Sequence, residues 1–357
     1  MRIVSLDFLR FFAAFSVAGP HLIIYFSIAD DLVLLETITS LAVELFFVLS
    51  GFVLCPFLKK IFESTTGVGR NLLIFLVRRW MRTLPLYFLS LTFFVILFSG
   101  RLDLTAVKYL VFLQNFLWPP PDFDYFSVSW SLAVEEWFYI LFPCFMVVFF
   151  AIWRRLAGLG NRTLVFMIGP IAFVAVFTLL RSLSDAPVEN WGDGLRRVVL
   201  FRIDSIGFGI LLYLWRDRIY KIPVAVIFIT AIAAAAYLFD AYDRISRGLS
   251  GALEFRLLIF AATALFSCAV LAFFLRLESL FQGWMKGISL WGGRISYGVY
   301  LFHIPIGAIT GKLYALPGIA FVLVTVLVLG IVTTLVYYFF EKPFLEARPG
   351  FRFADAG

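Results

Sequence analysis

The sequence predicts an all-α protein, a polytopic transmembrane helical bundle of about ten spans. Its 357 residues are 62% hydrophobic and only 15% charged, which is more apolar surface than a water-soluble domain of this length needs. Apolar runs of about 20 residues, long enough to cross a hydrocarbon core as a helix, recur along the chain. These runs do not alternate apolar and polar residues as transmembrane strands do, so we expect helices rather than a barrel.

Ten segments have the composition of a membrane span. In chain order they are residues 8–28, 37–58, 83–99, 129–152, 163–181, 197–215, 222–239, 255–275, 287–310 and 317–341. We expect the first to be retained rather than cleaved as a signal peptide, because Arg10 interrupts its apolar region and the run continues past Pro20. The sequence then reads as one membrane domain over residues 1–345, followed by a short tail over residues 346–357.

The charges of the connections predict the orientation of the bundle. The connections on the side of the N-terminus hold twice as many lysines and arginines as those on the other side, where most of the acidic residues lie. By the positive-inside rule, both termini and the tail are expected in the cytoplasm. The net charge of +7 is therefore explained by membrane topology, and no nucleic-acid partner is expected.

The first span carries ionisable side chains that a lipid-facing helix would exclude. Asp7, Arg10 and His21 lie within it or at its start, and His21 is one of only two histidines in the chain. From Arg10 to His21 an α-helix makes about three turns plus roughly 20°, so the two share a face and stand roughly 16 Å apart. Because ionisable groups are costly inside a membrane, this pair indicates a functional site.

Further ionisable residues lie within or at the edges of other spans: Glu44, Glu135, Glu136, Arg202, Asp204, Arg294, His303 and Glu341. Counting from the span ends places several of them near the level of His21, in the outer half of the membrane. One interpretation is a set of buried structural pairs, such as Arg202 with Asp204 or Glu135, with His303 as a packed hydrogen-bonding residue. The other is a wet site in which His21 serves as a general base near neutral pH.

An arginine run, formed by Arg78, Arg79 and Arg82, precedes the third predicted span. The run is either an ordinary basic helix end at the membrane surface or a cluster that binds phosphate groups. The second interpretation rests on the planar guanidinium group, whose donors match the oxygens of a phosphate.

Six motifs resemble those of the acyltransferase-3 family and stand in the same order. They are Leu6-Asp7-x-Leu9-Arg10 with His21, Val43-Glu44-Leu45-Phe46-Phe47-Val48-Leu49-Ser50-Gly51-Phe52, Arg78-Arg79-x-x-Arg82-x-x-Pro85, Ser129-Trp130-Ser131-Leu132-x-x-Glu135-Glu136-x-Phe138-Tyr139, Ser296-Tyr297-x-x-Tyr300-Leu301-x-His303-x-Pro305, and Glu341-Lys342-Pro343. Members of this family are bacterial integral-membrane enzymes that O-acylate sugars, and the resemblance covers nearly the whole chain. Phe8 and Glu44 depart from the family's usual Gly and Asp.

The resemblance implies roles for the polar residues. Arg10 and His21 look like the family's essential arginine and histidine, and Glu135 or Glu44 would orient the imidazole or the sugar hydroxyls. The arginine run looks like the motif that handles acyl-CoA, with Arg79 and Arg82 as its matching members and Arg78 beside them. From their positions within the spans, substrate-binding roles are expected for Glu44, Arg202, Asp204 and His303, and pairing roles for Glu341 and Arg294.

The expected function is O-acylation at the bacterial inner membrane. An acyl group, most simply acetyl, would move from cytoplasmic acyl-CoA to a sugar hydroxyl of a cell-surface or exported glycan, with His21 as base or, less favoured, as transient acyl carrier. Acyl-CoA is then a co-substrate, and no permanently bound cofactor or metal is expected. One alternative is a transporter of a sugar or proton-coupled solute. Another is a haem protein with His21 and His303 as axial ligands.

Overall fold

Long apolar helices make up most of the molecule. The computed structural model describes residues 2–25, 32–99, 104–117, 126–157, 161–186, 192–248, 254–314 and 318–351. Its α-helices are α1 (Val4–Tyr25), α2 (Leu32–Glu63), α3 (Val68–Phe94), α4 (Leu104–Leu110), α5 (Trp130–Ala157), α6 (Arg162–Ser182), α7 (Val199–Arg202), α8 (Asp204–Leu214), α9 (Arg216–Ile219), α10 (Val224–Ser246), α11 (Ile259–Arg276), α12 (Gly283–Tyr314), α13 (Gly318–Val336) and α14 (Lys342–Glu346). Within these ranges there is no strand, and the predicted all-α class is confirmed.

Eight helical segments of the described chain are long and apolar enough to cross a membrane. They are Val4–Ile24, Val33–Glu63, Val68–Leu97, Ser127–Leu156, Arg162–Ser182, Val224–Ile245, Phe255–Arg276 and Gly318–Glu346. Two of the ten predicted spans fall outside this set. Residues 197–215 form the short helices α7 and α8, and residues 287–310 lie inside α12, a helix of 32 residues that carries more polar side chains. The protein is a multi-pass membrane protein.

Helix α3 begins well before the predicted span 83–99. Gly67 has a φ of 70°, the left-handed conformation that glycine adopts without steric cost, and it turns the chain from α2 into α3. The helix then continues from Val68 through the arginine run. The predicted span starts at residue 83 because charged residues interrupt an apolar stretch of sequence. They do not interrupt a helix, because arginine is a good helix former. The arginine run therefore lies within a helix rather than in a connection.

The packing of α1 positions the candidate site. This helix contacts both α12 and α2, and α2 packs in turn on α8. The α2–α8 contact depends on two glycines: a Cβ at Gly51 would collide with the Ile206 carbonyl oxygen, and one at Gly209 with the Val48 carbonyl oxygen. Small residues of this kind let two membrane helices approach closely. The α1–α12 contact brings together the chain's two histidines.

Candidate active site

His21 of α1 and His303 of α12 are in direct contact. His21 Nδ1 and His303 Nε2 are 2.9 Å apart, and His303 Nδ1 is 3.2 Å from the carbonyl oxygen of Val299, one turn earlier in α12. His303 is fully buried and His21 is half-buried. The direct nitrogen–nitrogen contact leaves no space for an iron ion between the rings, which argues against bis-histidine haem ligation.

The backbone of α12 beside His303 is anchored to α3. Pro305 has no N–H, so the carbonyl of Leu301, four residues earlier, lacks its usual helical partner. Ser90 Oγ donates a hydrogen bond to that carbonyl oxygen at 3.2 Å. The carbonyl group that Pro305 leaves without a helical partner is thus hydrogen-bonded by a residue of α3. This bond fixes the position of the helical turn beside His303.

A cavity of about 800 Å³ lies among α1, α2, α3, α5 and α12. The arginines that line it outnumber the acids by seven to three. The arginines are Arg2, Arg10, Arg78, Arg79, Arg82, Arg294 and Arg348, and the acids are Asp7, Glu135 and Glu341. Such an excess of one charge inside a protein is unfavourable unless an anion can enter. The cavity is therefore suited to an anionic ligand.

Asp7 connects two of these arginines. Its Oδ1 is 3.2 Å from Arg10 Nη1, and its Oδ2 accepts a hydrogen bond from Arg2 Nε at 2.6 Å. The hydrogen bond from Arg2 to Asp7 raises the pKa of Arg2. Asp7 precedes Arg10 by one helical turn and thus holds that guanidinium group at the cavity wall.

The C-terminal segment completes the arginine end of the cavity. Arg78 Nη1 donates a hydrogen bond to the Pro349 carbonyl oxygen at 2.6 Å, and its guanidinium lies 5.1 Å from the centre of the Phe351 ring. Arg348 lines the cavity, and burial together with the nearby arginine run lowers its pKa to about 10. Residues 346–351, expected to be part of a tail, thus pack against α3.

Two hydroxyl groups line the cavity on the side of the histidine pair. Ser131 Oγ of α5 and the Tyr300 hydroxyl of α12 are 2.6 Å apart, and the Tyr300 hydroxyl donates a hydrogen bond to the Val128 carbonyl oxygen at 2.9 Å. The Tyr300 ring lies 6.2 Å from the His303 ring, centre to centre. Among the described residues that line the cavity, neither histidine appears. The cavity therefore stops one side chain short of the histidine pair.

Glu135 lies on the arginine side of Ser131 and Tyr300. Its Oε2 accepts a hydrogen bond from the Tyr139 hydroxyl at 3.3 Å, and the Tyr139 ring lies 5.9 Å from the guanidinium of Arg79. Along α5, Glu135 follows Ser131 toward the arginines, whereas along α12, His303 follows Tyr300 away from them. Within the described part of the chain, no hydrogen bond joins Glu135 to His21 or His303, and its role in orienting the imidazole or the acceptor hydroxyl stays a prediction.

Glu44, Arg202 and Asp204 form ion pairs different from those considered in the sequence. Arg202 pairs with Glu44 of α2, and Arg181 Nη1 of α6 lies 2.8 Å from Asp204 Oδ2. All four side chains are buried. Arg202 ends α7 and Asp204 begins α8, and among the described residues each forms its ion pair with a side chain of another helix. The pairing of Arg202 with Asp204 or Glu135 is therefore wrong.

Three further ionisable residues that the sequence analysis singled out, Arg294, Glu341 and Glu136, differ in their hydrogen bonding. Arg294 Nη1 donates a hydrogen bond to the Tyr338 hydroxyl at 3.1 Å. Within the described part of the chain, Glu341 Oε1 is buried without a hydrogen-bond partner, although Glu341 shares the cavity with Arg82 and Arg10. Glu136 accepts a hydrogen bond from Thr83 Oγ1 at 2.6 Å.

Sequence reasoning gave no site role to Ser131, Tyr300 or Arg348. A signal for Tyr300 exists in the spacing of α12, where Arg294, Tyr297, Tyr300 and His303 follow one another at intervals of three residues. Residues three apart on a helix lie on neighbouring faces, so this series marks a polar stripe from the cavity to the histidine pair. Arg348 has no such signal, because its place depends on the fold of the chain after α13.

Together, the fold and the site define a multi-pass membrane protein with an internal arginine-lined cavity beside a histidine pair. Comparison with protein families identifies the class more closely. Residues 3–341 match the acyltransferase-3 family, Acyl_transf_3, which is described as an acyltransferase domain. The chain belongs to this family, and the resemblance seen in its motifs is confirmed.

Several named proteins are similar in sequence. The chain is 27% identical to the putative peptidoglycan O-acetyltransferase YrhL of Bacillus subtilis, over 96% of this chain and 54% of the relative. It is 26% identical to the O-acetyltransferase OatA of Staphylococcus aureus, over 85% of this chain and 52% of the relative. It is 34% identical to the acyltransferase MdmB of Streptomyces mycarofaciens, over 40% of this chain and 39% of the relative.

The chain spans about half the length of the first two of these relatives. No solved structure matches it significantly.

Proposed function

We propose that the protein is an integral-membrane O-acyltransferase that transfers an acyl group, most simply acetyl, from acyl-CoA to a glycan hydroxyl. The observation that carries the proposal is the arginine-lined cavity that extends along α12 toward the pair of His21 and His303. Family membership and the names of the relatives, two of them O-acetyltransferases, support the same class of reaction.

The arginine end of the cavity is suited to the phosphates of CoA. Arginine binds phosphate through two parallel hydrogen bonds, and the charge of the ligand would offset the mutual repulsion of the guanidinium groups. The like-charge crowding that contributes to the lowered pKa of Arg348 is one sign of this repulsion. Since acyl-CoA is a cytoplasmic metabolite, this end, with both chain termini, is assigned to the cytoplasmic face of the bacterial inner membrane.

The pantetheine arm of the donor would extend from the arginines along the cavity. From Arg294 to His303, α12 rises by about 14 Å. At its far end the cavity meets Tyr300 and Ser131, so the acyl group reaches His21 only when the Tyr300 side chain moves aside. This movement is part of the proposal.

The reaction needs one proton acceptor near the thioester. The glycan hydroxyl oxygen attacks the thioester carbonyl carbon while the imidazole of His21 removes the hydroxyl proton. The carbon–sulfur bond then breaks, an ester forms, and the CoA sulfur leaves with the proton returned by the imidazolium. Arg10 lies about 16 Å away along α1, so its role is with the donor rather than with the reacting atoms.

The acceptor is proposed to be a glycan that reaches His21 from the end of the bundle opposite the arginines. Peptidoglycan is the acceptor that the name of the Bacillus subtilis relative gives, and it is the first candidate for this chain. A donor at one face and an acceptor at the other explain why the histidine pair lies deep inside the bundle.

Mass spectrometry of cell-surface glycans tests this proposal directly. A strain that lacks the gene should lose one defined acyl mass on a sugar, and the wild-type gene should restore it. The His21→Ala variant should insert and fold but fail to restore the acyl group. Restoration by His21→Ala would reject the mechanism, and solute uptake by the purified protein in liposomes without any acyl donor would favour a transporter.

A further inference from the structure

The hydrogen bonds of His303 define which of its nitrogens carries a hydrogen. A backbone carbonyl oxygen can only accept, so the 3.2 Å contact between His303 Nδ1 and the Val299 oxygen places a hydrogen on Nδ1. The described contacts of His303 are this carbonyl, His21 and the Tyr300 ring, and none of them is an acid. A fully buried imidazole without an acidic partner is neutral, because an unpaired buried charge is very costly. The lone pair of His303 is therefore on Nε2.

That lone pair determines the tautomer of His21. His303 Nε2 lies 2.9 Å from His21 Nδ1, and it can only accept, so His21 Nδ1 must carry the hydrogen. The ring planes differ by only 10° and the ring centres are 5.1 Å apart, so the two nitrogens lie almost on the line between the centres. This is the geometry of an in-plane hydrogen bond along the lone-pair direction. The lone pair of His21 is left on Nε2.

We infer that His303 is a positioning residue that holds His21 in the Nδ1–H tautomer, so that Nε2 of His21 accepts the proton of the acceptor hydroxyl. This inference rests on the proposed function and replaces the expected substrate-binding role of His303. The hydrogen bonds run from the Val299 carbonyl through His303 to His21. His303 thereby orients His21 in the way that an aspartate orients the histidine of a serine protease triad.

The same hydrogen bond stabilises His21 after proton transfer. When Nε2 takes the hydroxyl proton, the ring becomes an imidazolium with a hydrogen on each nitrogen. The Nδ1–H group then donates a stronger, charge-assisted hydrogen bond to His303 Nε2. The proton on Nε2 is returned to the CoA sulfur, and both histidines end in their starting tautomers.

The chain offers a clean spectroscopic test, because His21 and His303 are its only histidines. The full chain is labelled with ¹⁵N-histidine, purified in lipid nanodiscs and measured by solid-state NMR, where protonated and unprotonated ring nitrogens differ in chemical shift. We expect hydrogen on Nδ1 of both rings in the wild type. In His303→Leu, the single remaining ring should shift toward the Nε2–H tautomer, which is favoured in solution. In His303→Gln, whose amide oxygen can replace the Nε2 acceptor, it should stay Nδ1–H.

The rate of acyl transfer should depend on the tautomer of His21. With acetyl-CoA and a soluble glycan fragment, His303→Leu should lower kcat by about tenfold to a thousandfold with an unchanged KM for acetyl-CoA, and His303→Gln should recover most of the loss. Thr310→Val, which removes another buried hydrogen-bonding side chain of α12, is the control and should leave both the tautomer and kcat unchanged. Thermal unfolding of each variant separates misfolding from a tautomer effect.

The outcomes distinguish this inference from the proposed function. A wild-type His21 with its hydrogen on Nε2 would overturn the positioning role even if the protein transfers acetyl groups. Equal kcat values for His303→Leu and the wild type would do the same. An Nδ1–H tautomer in a protein that transfers no acyl group from any CoA donor would reject the proposed function and leave the tautomer assignment intact.

Discussion

Arg202 and Glu44 form an ion pair in which both side chains are almost completely buried, at 3% and 0% exposure. The pair joins α7 to α2. Beside it, Arg181 and Asp204 form a second buried pair, and the ring of Phe260 lies 4.2 Å from the guanidinium of Arg181 and 4.6 Å from that of Arg202. Each charge has an oppositely charged partner on another helix, which favours a structural role over the substrate-binding role expected from the sequence. Among the described residues, Arg202 Nε and Nη1 and Glu44 Oε1 are buried without a hydrogen-bond partner.

Removal of one partner of this ion pair should destabilise the bundle. Glu44→Leu leaves the Arg202 charge buried and unpaired, which costs about 3–5 kcal/mol in proteins. The double variant Glu44→Leu with Arg202→Leu should recover much of this loss, because it removes both charges. Thermal unfolding in detergent measures both effects, and Glu346→Gln, in an exposed pair with Lys342, is the control with a change of at most about 0.5 kcal/mol. Wild-type stability of Glu44→Leu, combined with a raised KM for the glycan, would instead support substrate binding.

The close contact between α2 and α8 should not tolerate a side chain at Gly209. Gly209→Ala would push a methyl group into the Val48 carbonyl oxygen, so the helices must separate, at an expected cost of about 1–3 kcal/mol. Gly330→Ala in α13 has no atom within 4 Å of the new methyl group and serves as the matched control. Thermal unfolding should show a lower Tm for Gly209→Ala alone. Equal Tm values for the two variants would show that the helices can adjust at no cost.

Much of the fold could be predicted because membrane spans are encoded by composition. Eight predicted spans correspond to helices that are long and apolar enough to cross a membrane. The start of α3 could not be predicted in this way, since Arg78, Arg79 and Arg82 look like the end of a span. They lie inside a helix because a cavity accommodates their side chains, and a cavity depends on how several helices pack.

The site was only partly predictable for a similar reason. His21 and His303 stand out because ionisable residues are rare in apolar segments, but 282 residues separate them and only the α1–α12 packing shows that they touch. The partner of Arg202 was missed because counting residues gives depth in the membrane and not the direction of a side chain. Glu135 was placed near the level of His21 by the same count, and among the described residues no hydrogen bond joins the two.

Arg348 should contribute to donor binding without acting in the chemical step. Arg348→Ala removes a half-buried cation from the cavity, so we expect the KM for acetyl-CoA to rise by about threefold to tenfold with little change in kcat. Arg155→Ala, which removes an exposed arginine at the end of α5, is the control with an unchanged KM. Steady-state kinetics at two salt concentrations would also show a weaker salt dependence for Arg348→Ala. A lower kcat at saturating acetyl-CoA would place Arg348 in the reaction instead.

The Tyr300 side chain should block the path of the acyl group to His21 until it moves aside. It should take no part in the chemical step. Its hydroxyl holds the ring in place through Ser131 and the Val128 carbonyl oxygen, so Tyr300→Phe removes the hydrogen bonds that oppose rotation of the ring. We expect this variant to keep at least the wild-type kcat, with a loss of stability of about 1 kcal/mol.

The size of the ring should matter more than its hydroxyl. Tyr300→Trp keeps an aromatic group but fills more of the end of the cavity, so the acyl group should reach His21 less often and kcat should fall by about tenfold or more, because a misplaced acyl group reacts slowly. Single-turnover transfer of a labelled acetyl group separates this effect from donor binding, which we propose takes place at the arginine end. A large loss of kcat in Tyr300→Phe, with Tyr300→Trp no slower, would show that the hydroxyl participates in the reaction and that the acyl group does not need to pass the ring.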